Sequence, residues 1–162
     1  MPEAKPNFMA MALERAEAAA AAGEVPIAAL VVDAEGAVVA VAENRMRALG
    51  DPTAHAEMLA IRAACAKLGE GRLAACDIYV TLEPCAMCAA AISFARLRRL
   101  YFGAYDAKGG GVEHGARIFA QAGCNHRPEV YGGIEERRAG KLLVDFFTAR
   151  RPSSAAPAAE GP

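Results

Sequence analysis

Between residues 7 and 22 the chain is rich in alanine, with Phe8, Met11, Ala12, Arg15 and Ala19 at helical spacing and Gly23 beyond them, which predicts a first helix with its stop. The run "VPIAALVVDAEGAVVAVAEN" then changes period. Two short apolar stretches, roughly 26–33 and 37–43, flank "DAEG" and predict a hairpin of buried strands. A polar loop over 44–53 leads into a helix over about 54–68, with Met58, Ile61, Cys65 and Leu68 as its apolar stripe and Cys65 therefore a core residue. "CDIYVTLE" reads as a third strand ending at Glu83, and "PCAMCAAAISFARL" as a helix opened by proline. "RRLYFGA" is a fourth strand and "PEVYGG" a short fifth, separated by the Gly-rich "YDAKGGG" and a weakly helical "ARIFAQAG". The last helix, about 134–149, is expected to bury Ala139, Leu142, Leu143 and Phe146. Residues 1–151 thus form one domain, and 152–162, Pro- and Ala-rich without apolar periodicity, are expected to be a disordered tail. Strands and helices that alternate after an initial hairpin imply a three-layer α/β/α domain, a five-stranded mixed sheet with helices on both faces.

Composition agrees and narrows the class. A chain of 162 residues that is 54% hydrophobic suits a single buried core. There is no run of about 18 apolar residues, and the N-terminal segment carries acids where a signal peptide needs a basic end, so a cytoplasmic protein is expected. Five cysteines, an odd number, two of them at Cys85 and Cys88, fit a reducing compartment and a metal site better than a disulfide framework. The net charge of −1 divides unevenly: residues 1–81 hold 7 Lys+Arg against 11 Asp+Glu, and 82–162 hold 11 against 8. Arginines cluster at 96, 98 and 99, at 137 and 138, and at 150 and 151, and would make a phosphate-contacting surface if the fold gathers them. A pI near 6.3 excludes strong nonspecific nucleic-acid binding as the main function, though not a local basic footprint.

Two clusters carry chemistry, and both stand at helix starts. "HAE" at 55–57 opens one helix and "PCAMC" at 84–88 opens the next. The unpaired N–H groups and positive dipole end of a helix stabilise thiolates, and Cys85 and Cys88 are spaced to share a face. One imidazole and two thiolates, His55, Cys85 and Cys88, supply three zinc ligands and leave the fourth position open for water, as in catalytic rather than structural zinc sites. Such a water ionises near neutral pH, and Glu57, two residues from His55, can carry its proton to a leaving nitrogen. The chemistry that results is hydrolytic deamination of an amino-substituted heterocycle. A closed, structural site would need a fourth ligand from Cys65, Cys76, Cys124, His114 or His126, all of which the pattern places in the core, at a strand start or in a later segment. Glu83 either caps the helix that follows it or supports a ligand.

This arrangement resembles the H-x-E…P-C-x-x-C signature of zinc base deaminases, and the chain is similar to the cytidine deaminase superfamily. Beyond the motif, "EVPIAALVV", Asn44, "DPTAHAEM", "YVTLEPCAMCAAAI", "FGAYDAKGG", "NHRPEV" and "DFFTARR" resemble the tRNA adenosine deaminase branch over roughly residues 8–151. The resemblance implies a cytidine deaminase-like fold, one zinc ion per subunit, a homodimer, and a tRNA anticodon loop as partner. It implies Glu57 as catalytic residue and His55, Cys85 and Cys88 as metal ligands. Asn44 is then expected on the purine edge, Asp106 and Lys108 beside the flanking nucleotides, and Asn125, Phe147 and Arg150 near the anticodon loop. The expected reaction is conversion of adenosine to inosine at the wobble position. A free nucleobase or nucleoside deaminase would use the same motif, and an RNA-binding module with structural zinc is the reading outside the enzymes. The chain departs from its relatives at Ala28 and Ala90, where glycine is frequent, at Tyr105, where some have arginine, and over "VEHGARIFAQAGC".

Overall fold

The computed structural model describes residues 4–150; the tail over 152–162 lies outside the described residues. Helix α1 spans Phe8–Ala21, and its N-cap Asn7 accepts from the Ala10 N–H at 3.0 Å. Strands β1 (Ala28–Val32) and β2 (Val38–Glu43) form the predicted antiparallel hairpin. A four-residue helix α2 (Met46–Leu49) stands inside the segment expected to be loop, followed by α3 (Ala56–Leu68), β3 (Asp77–Leu82), α4 (Ala86–Phe94) and β4 (Arg99–Ala104). The weakly helical segment narrows to a 3-10 turn, Ile118–Ala120, before β5 (Glu129–Tyr131) and α5 (Glu136–Arg150).

The sheet order is β2-β1-β3-β4-β5, with β1 antiparallel to both neighbours and β3, β4 and β5 parallel. Alternation along β1 assigns the faces. Ala29 and Val31 join Ile78, Val80, Leu100 and Phe102 under α3 and α4, while Leu30 meets Met9 and Leu13 of α1 and Ala139 of α5. The expected three layers and mixed sheet are therefore present. No helix among the described residues is long and apolar enough to cross a membrane.

Two predicted stripes turn out to be rotated. In α1 the buried set is Met9, Ala12, Leu13, Ala16 and Ala19, so Met11 is 40% exposed and Arg15 points out to pair with Glu43 at 2.7 Å. In α3 the buried set is Ala56, Glu57, Ala60, Ile61 and Ala64; Leu68 is 40% exposed and Cys65 only half-buried against the core. In α5, Ala139 and Phe146 are buried, with Leu142 and Leu143 at the margin. Pro84 lies outside α4, whose N-cap is Cys85.

The topology brings four segment ends to one edge. β2, β3 and β4 end there and β1 begins there, so Ile27, Asn44, Leu82–Glu83 and the segment after Ala104 converge where α3 and α4 start. Open α/β sheets place their sites at such an edge.

Candidate active site

His55 is the N-cap residue of α3 and Cys85 that of α4; both have extended backbone that swings the side chain off the helix axis toward the gap between the two helices. Cys88 follows in the first turn of α4 and is buried, as is Glu57 in the first turn of α3. His55 Nδ1 lies 3.6 Å from Cys85 Sγ and 3.5 Å from Cys88 Sγ, and the three ligand atoms all fall within 4.8 Å of one another. A tetrahedral zinc about 2.0 Å from nitrogen and about 2.3 Å from sulfur requires nitrogen–sulfur separations of roughly 3.5 Å. The triangle meets that requirement. Among the described residues the cluster consists of these three side chains. His114 bonds instead to Glu83, and His126 Nε2 lies 2.7 Å from the Leu97 carbonyl, so neither closes the fourth position.

The electrostatics suit the same use. The Cys85 thiol is pulled down to about 5, first by the hydrogen bond from Cys88 and then by the Cys88 backbone N–H and the His55 ring, with burial opposing. Cys88 moves up, because it holds the proton in that bond and is buried. Burial pushes the Glu57 carboxyl up, which suits a group that must both accept and release a proton.

A cavity of about 260 Å³ opens over these groups, lined among others by Val25, Ile27, Asn44, His55, Glu57 and Asp106. Asn44 is buried, and its Oδ1 accepts from the Met46 N–H at 3.2 Å. That bond fixes the amide orientation and leaves Nδ2 as a donor that it does not use. Asp106 Oδ1 accepts from the N–H groups of Lys108 and Gly109 at 3.1 and 2.9 Å, so the aspartate shapes its own turn at the cavity wall. Lys108 is exposed in that turn.

The remaining expected residues lie outside this cavity. A groove sharing Val25, Asn44 and Met46 with it continues past Arg47 to Phe146 and Arg150. Phe146 is the aromatic residue of that groove, carrying the Arg150 guanidinium 3.6 Å over its ring, while Phe147 is 49% exposed and meets Phe146 edge to face. Asn125 lines a separate cavity beside Phe94 and Arg96. The arginines do not gather into one surface: Arg98 forms a two-bond pair with Asp77 and Arg99 pairs with Glu129 at the far end of the sheet, and Arg138 pairs with Glu17.

Two carboxylates carry roles that the sequence does not signal. Glu24, buried, accepts from the Ala48 N–H at 2.5 Å and the Arg47 N–H at 3.4 Å and so anchors α2 beside the groove. Glu83 neither caps α4 nor bonds a ligand side chain. Its carboxylate accepts from the backbone N–H groups of Asp106, Val112, Glu113 and His114 at 3.0–3.2 Å and lies 2.7 Å from His114 Nδ1. Burial alone would raise its pKa, but the His114 ring and these N–H groups outweigh it and hold the carboxyl low.

Known proteins share this architecture. Residues 2–104 match the family described as the cytidine and deoxycytidylate deaminase zinc-binding region. The tRNA-specific adenosine deaminase of Agrobacterium fabrum is 54% identical over 145 residues, covering 90% of this chain and 95% of that protein. The enzyme of the same name from Aquifex aeolicus is 43% identical over 148 residues, covering 91% and 96%. A solved structure from a study of A-to-I editing by tRNA deaminases at the wobble position superposes with a TM-score of 0.82 at 55% identity, covering 84% of this chain and 98% of that one. Guanine deaminase from Nitrosomonas europaea superposes with a TM-score of 0.75 at 27% identity, covering 91% and 85%. On this family match and these near-full-length similarities, the chain belongs to the cytidine and deoxycytidylate deaminase family, in the group formed by its tRNA-specific adenosine deaminase relatives.

Proposed function

We propose that this protein hydrolyses adenosine to inosine at the wobble position of a tRNA, consuming water and releasing ammonia. The observation that carries the chemistry is the His55–Cys85–Cys88 triangle with buried Glu57 on the same cavity. The substrate rests on near-full-length similarity to enzymes named for it. A zinc ion held by the triangle would lower the pKa of a bound water to about 7 and so supply the nucleophile. Glu57 takes the water's proton and delivers it to the departing amino nitrogen, so the C–N bond breaks as ammonia forms. Asn44 Nδ2 donates to an acceptor on the purine edge and fixes the ring against the helix starts. The target base must leave its stack to enter a cavity of this size, which costs little in a loop whose bases are already partly unstacked. Asp106 faces the ribose of a flanking nucleotide, and the groove toward Phe146 and Arg150 receives the adjoining strand.

We read the working unit as a cytoplasmic homodimer. Phe94 is 79% exposed at the end of α4, beside the cavity of about 310 Å³ that holds Asn125, and a second subunit covering it would bring Asn125 near bound RNA. Light scattering of Phe94→Asp against the parent chain tests this; dimers in both would exclude that face.

The decisive assay incubates zinc-loaded protein with an anticodon stem-loop bearing adenosine at the wobble position, and in parallel with free adenosine, cytidine, cytosine and guanine. Inosine in the stem-loop alone is the expected result. Ammonia from a free base alone would keep the chemistry and replace the substrate, and tight RNA binding without ammonia would make this a binding module.

A further inference from the structure

The Gly-rich loop after β4 sits on the backbone that delivers the zinc ligands. The Gly111 N–H donates to the Pro84 carbonyl at 2.8 Å, and a Cβ on Gly111 would overlap the backbone of Cys85 and Ala86. A Cβ on Gly110 would overlap the Glu83 carboxylate. The Glu83 side chain is 0% exposed beneath this loop, with four backbone N–H groups and the His114 ring converging on its two oxygens. Such a concentration of donors on one enclosed carboxylate fixes loop position far more tightly than glycines could alone. Asp106 and Gly109, which line the catalytic cavity, belong to the loop so held.

We propose that Glu83 is a positioning residue for RNA recognition: enclosed under the 106–114 loop, it holds Asp106 at the cavity wall and ties that wall to the strand end leading into Cys85. The proposal rests on the tRNA reading for its ligand, and on geometry alone for the loop. Glutamine at this position keeps the shape but replaces one acceptor oxygen with an NH2 that faces backbone donors. The loop then loosens while the zinc triangle, built from α3 and α4, stays.

The test compares the zinc-loaded parent chain with Glu83→Gln, Gly110→Ala and His114→Ala. Zinc per chain, amide hydrogen exchange across 106–114, and KM and kcat on the stem-loop are measured for each. Glu83→Gln is expected to keep its zinc, to exchange the loop amides roughly tenfold faster and to raise KM roughly tenfold, with kcat within about threefold. His114→Ala should move exchange and KM the same way by less. Gly110→Ala keeps the carboxylate but lifts the loop from it, and should reproduce the KM effect; it decides the matter where Glu83→Gln fails to fold. Unchanged loop exchange, loss of zinc, or a fall in kcat at constant KM would each overturn the proposal. Should the parent chain make no inosine on the stem-loop, the substrate reading fails, and exchange in the variants still reports whether Glu83 holds the loop.

Discussion

Glu57 owes its position to the start of α3: it is the second helical residue, two positions after the N-cap residue His55, and both side chains line the same cavity. Because the carboxylate is buried and outside the ligand triangle, Glu57→Gln should bind zinc as well as the parent and lose about 10²- to 10⁴-fold in turnover. Zinc stoichiometry beside single-turnover inosine formation checks this, and loss of the metal would make Glu57 a ligand rather than a proton carrier. Asp106 offers a different kind of evidence. Its Oδ1 is committed to the Lys108 and Gly109 N–H groups, which leaves Oδ2 to accept from a ribose 2′-OH. Asp106→Asn keeps the turn's acceptor and removes the charge, so the ratio of activity on RNA to activity on the matched DNA stem-loop should fall by roughly threefold to tenfold. An unchanged ratio would remove Asp106 from sugar recognition.

On the α1 and α5 side of the sheet, Tyr79, Tyr101 and Tyr131 stack across β3, β4 and β5 with ring centroids 4.5 and 5.1 Å apart. Burial, then the neighbouring Tyr101 and Asp77, push the Tyr79 hydroxyl up to about 12. Its protonated form is the one the fold favours, so this stability is present below the usual tyrosine range near 10 and is lost as pH rises toward 12. Thermal melts should therefore fall between those values, and Tyr79→Phe should flatten the decline. Strands were the elements most legible in the sequence, because β-branched runs bounded by Asp and Gly leave little choice of period. The helices were legible in extent but not in facing. Alanine fills both sides of α1 and α3 and gives no contrast between an inward and an outward stripe, so Met11 and Leu68, counted as core, are partly exposed. Helix α2 had no sequence signal at all: the carboxylate that anchors it, Glu24, lies more than twenty residues upstream and acts only once the hairpin has folded back.

At the scale of the whole molecule, the candidate metal site and the neighbouring groove differ in how they are assembled. Two short segments, each a helix start, carry the three side chains of the candidate metal site and Glu57, which is why their spacing in the sequence points to them. The groove draws on the segment between α1 and β1, on Asn44 just past β2, on α2 and on α5, and its aromatic wall is Phe146 rather than the adjacent Phe147, a choice set by the rotation of α5 against the sheet. The same division governs what zinc does for stability. Ile78 and Phe102 are fully buried and take no part in the ligand triangle, and α3 and α4 are both seated on the sheet by their own apolar residues. Zinc adds one tie between two helix starts. Binding at a thousandfold excess over its dissociation constant would contribute about 4 kcal/mol, or roughly 10 °C of melting temperature for a domain of this size. Chelation should accordingly abolish deamination while leaving far-UV circular dichroism at 25 °C unchanged and lowering the melting temperature by about that amount, with both properties restored by added zinc. A chelated protein that unfolds at 25 °C would instead make the metal a structural centre and the open fourth position incidental.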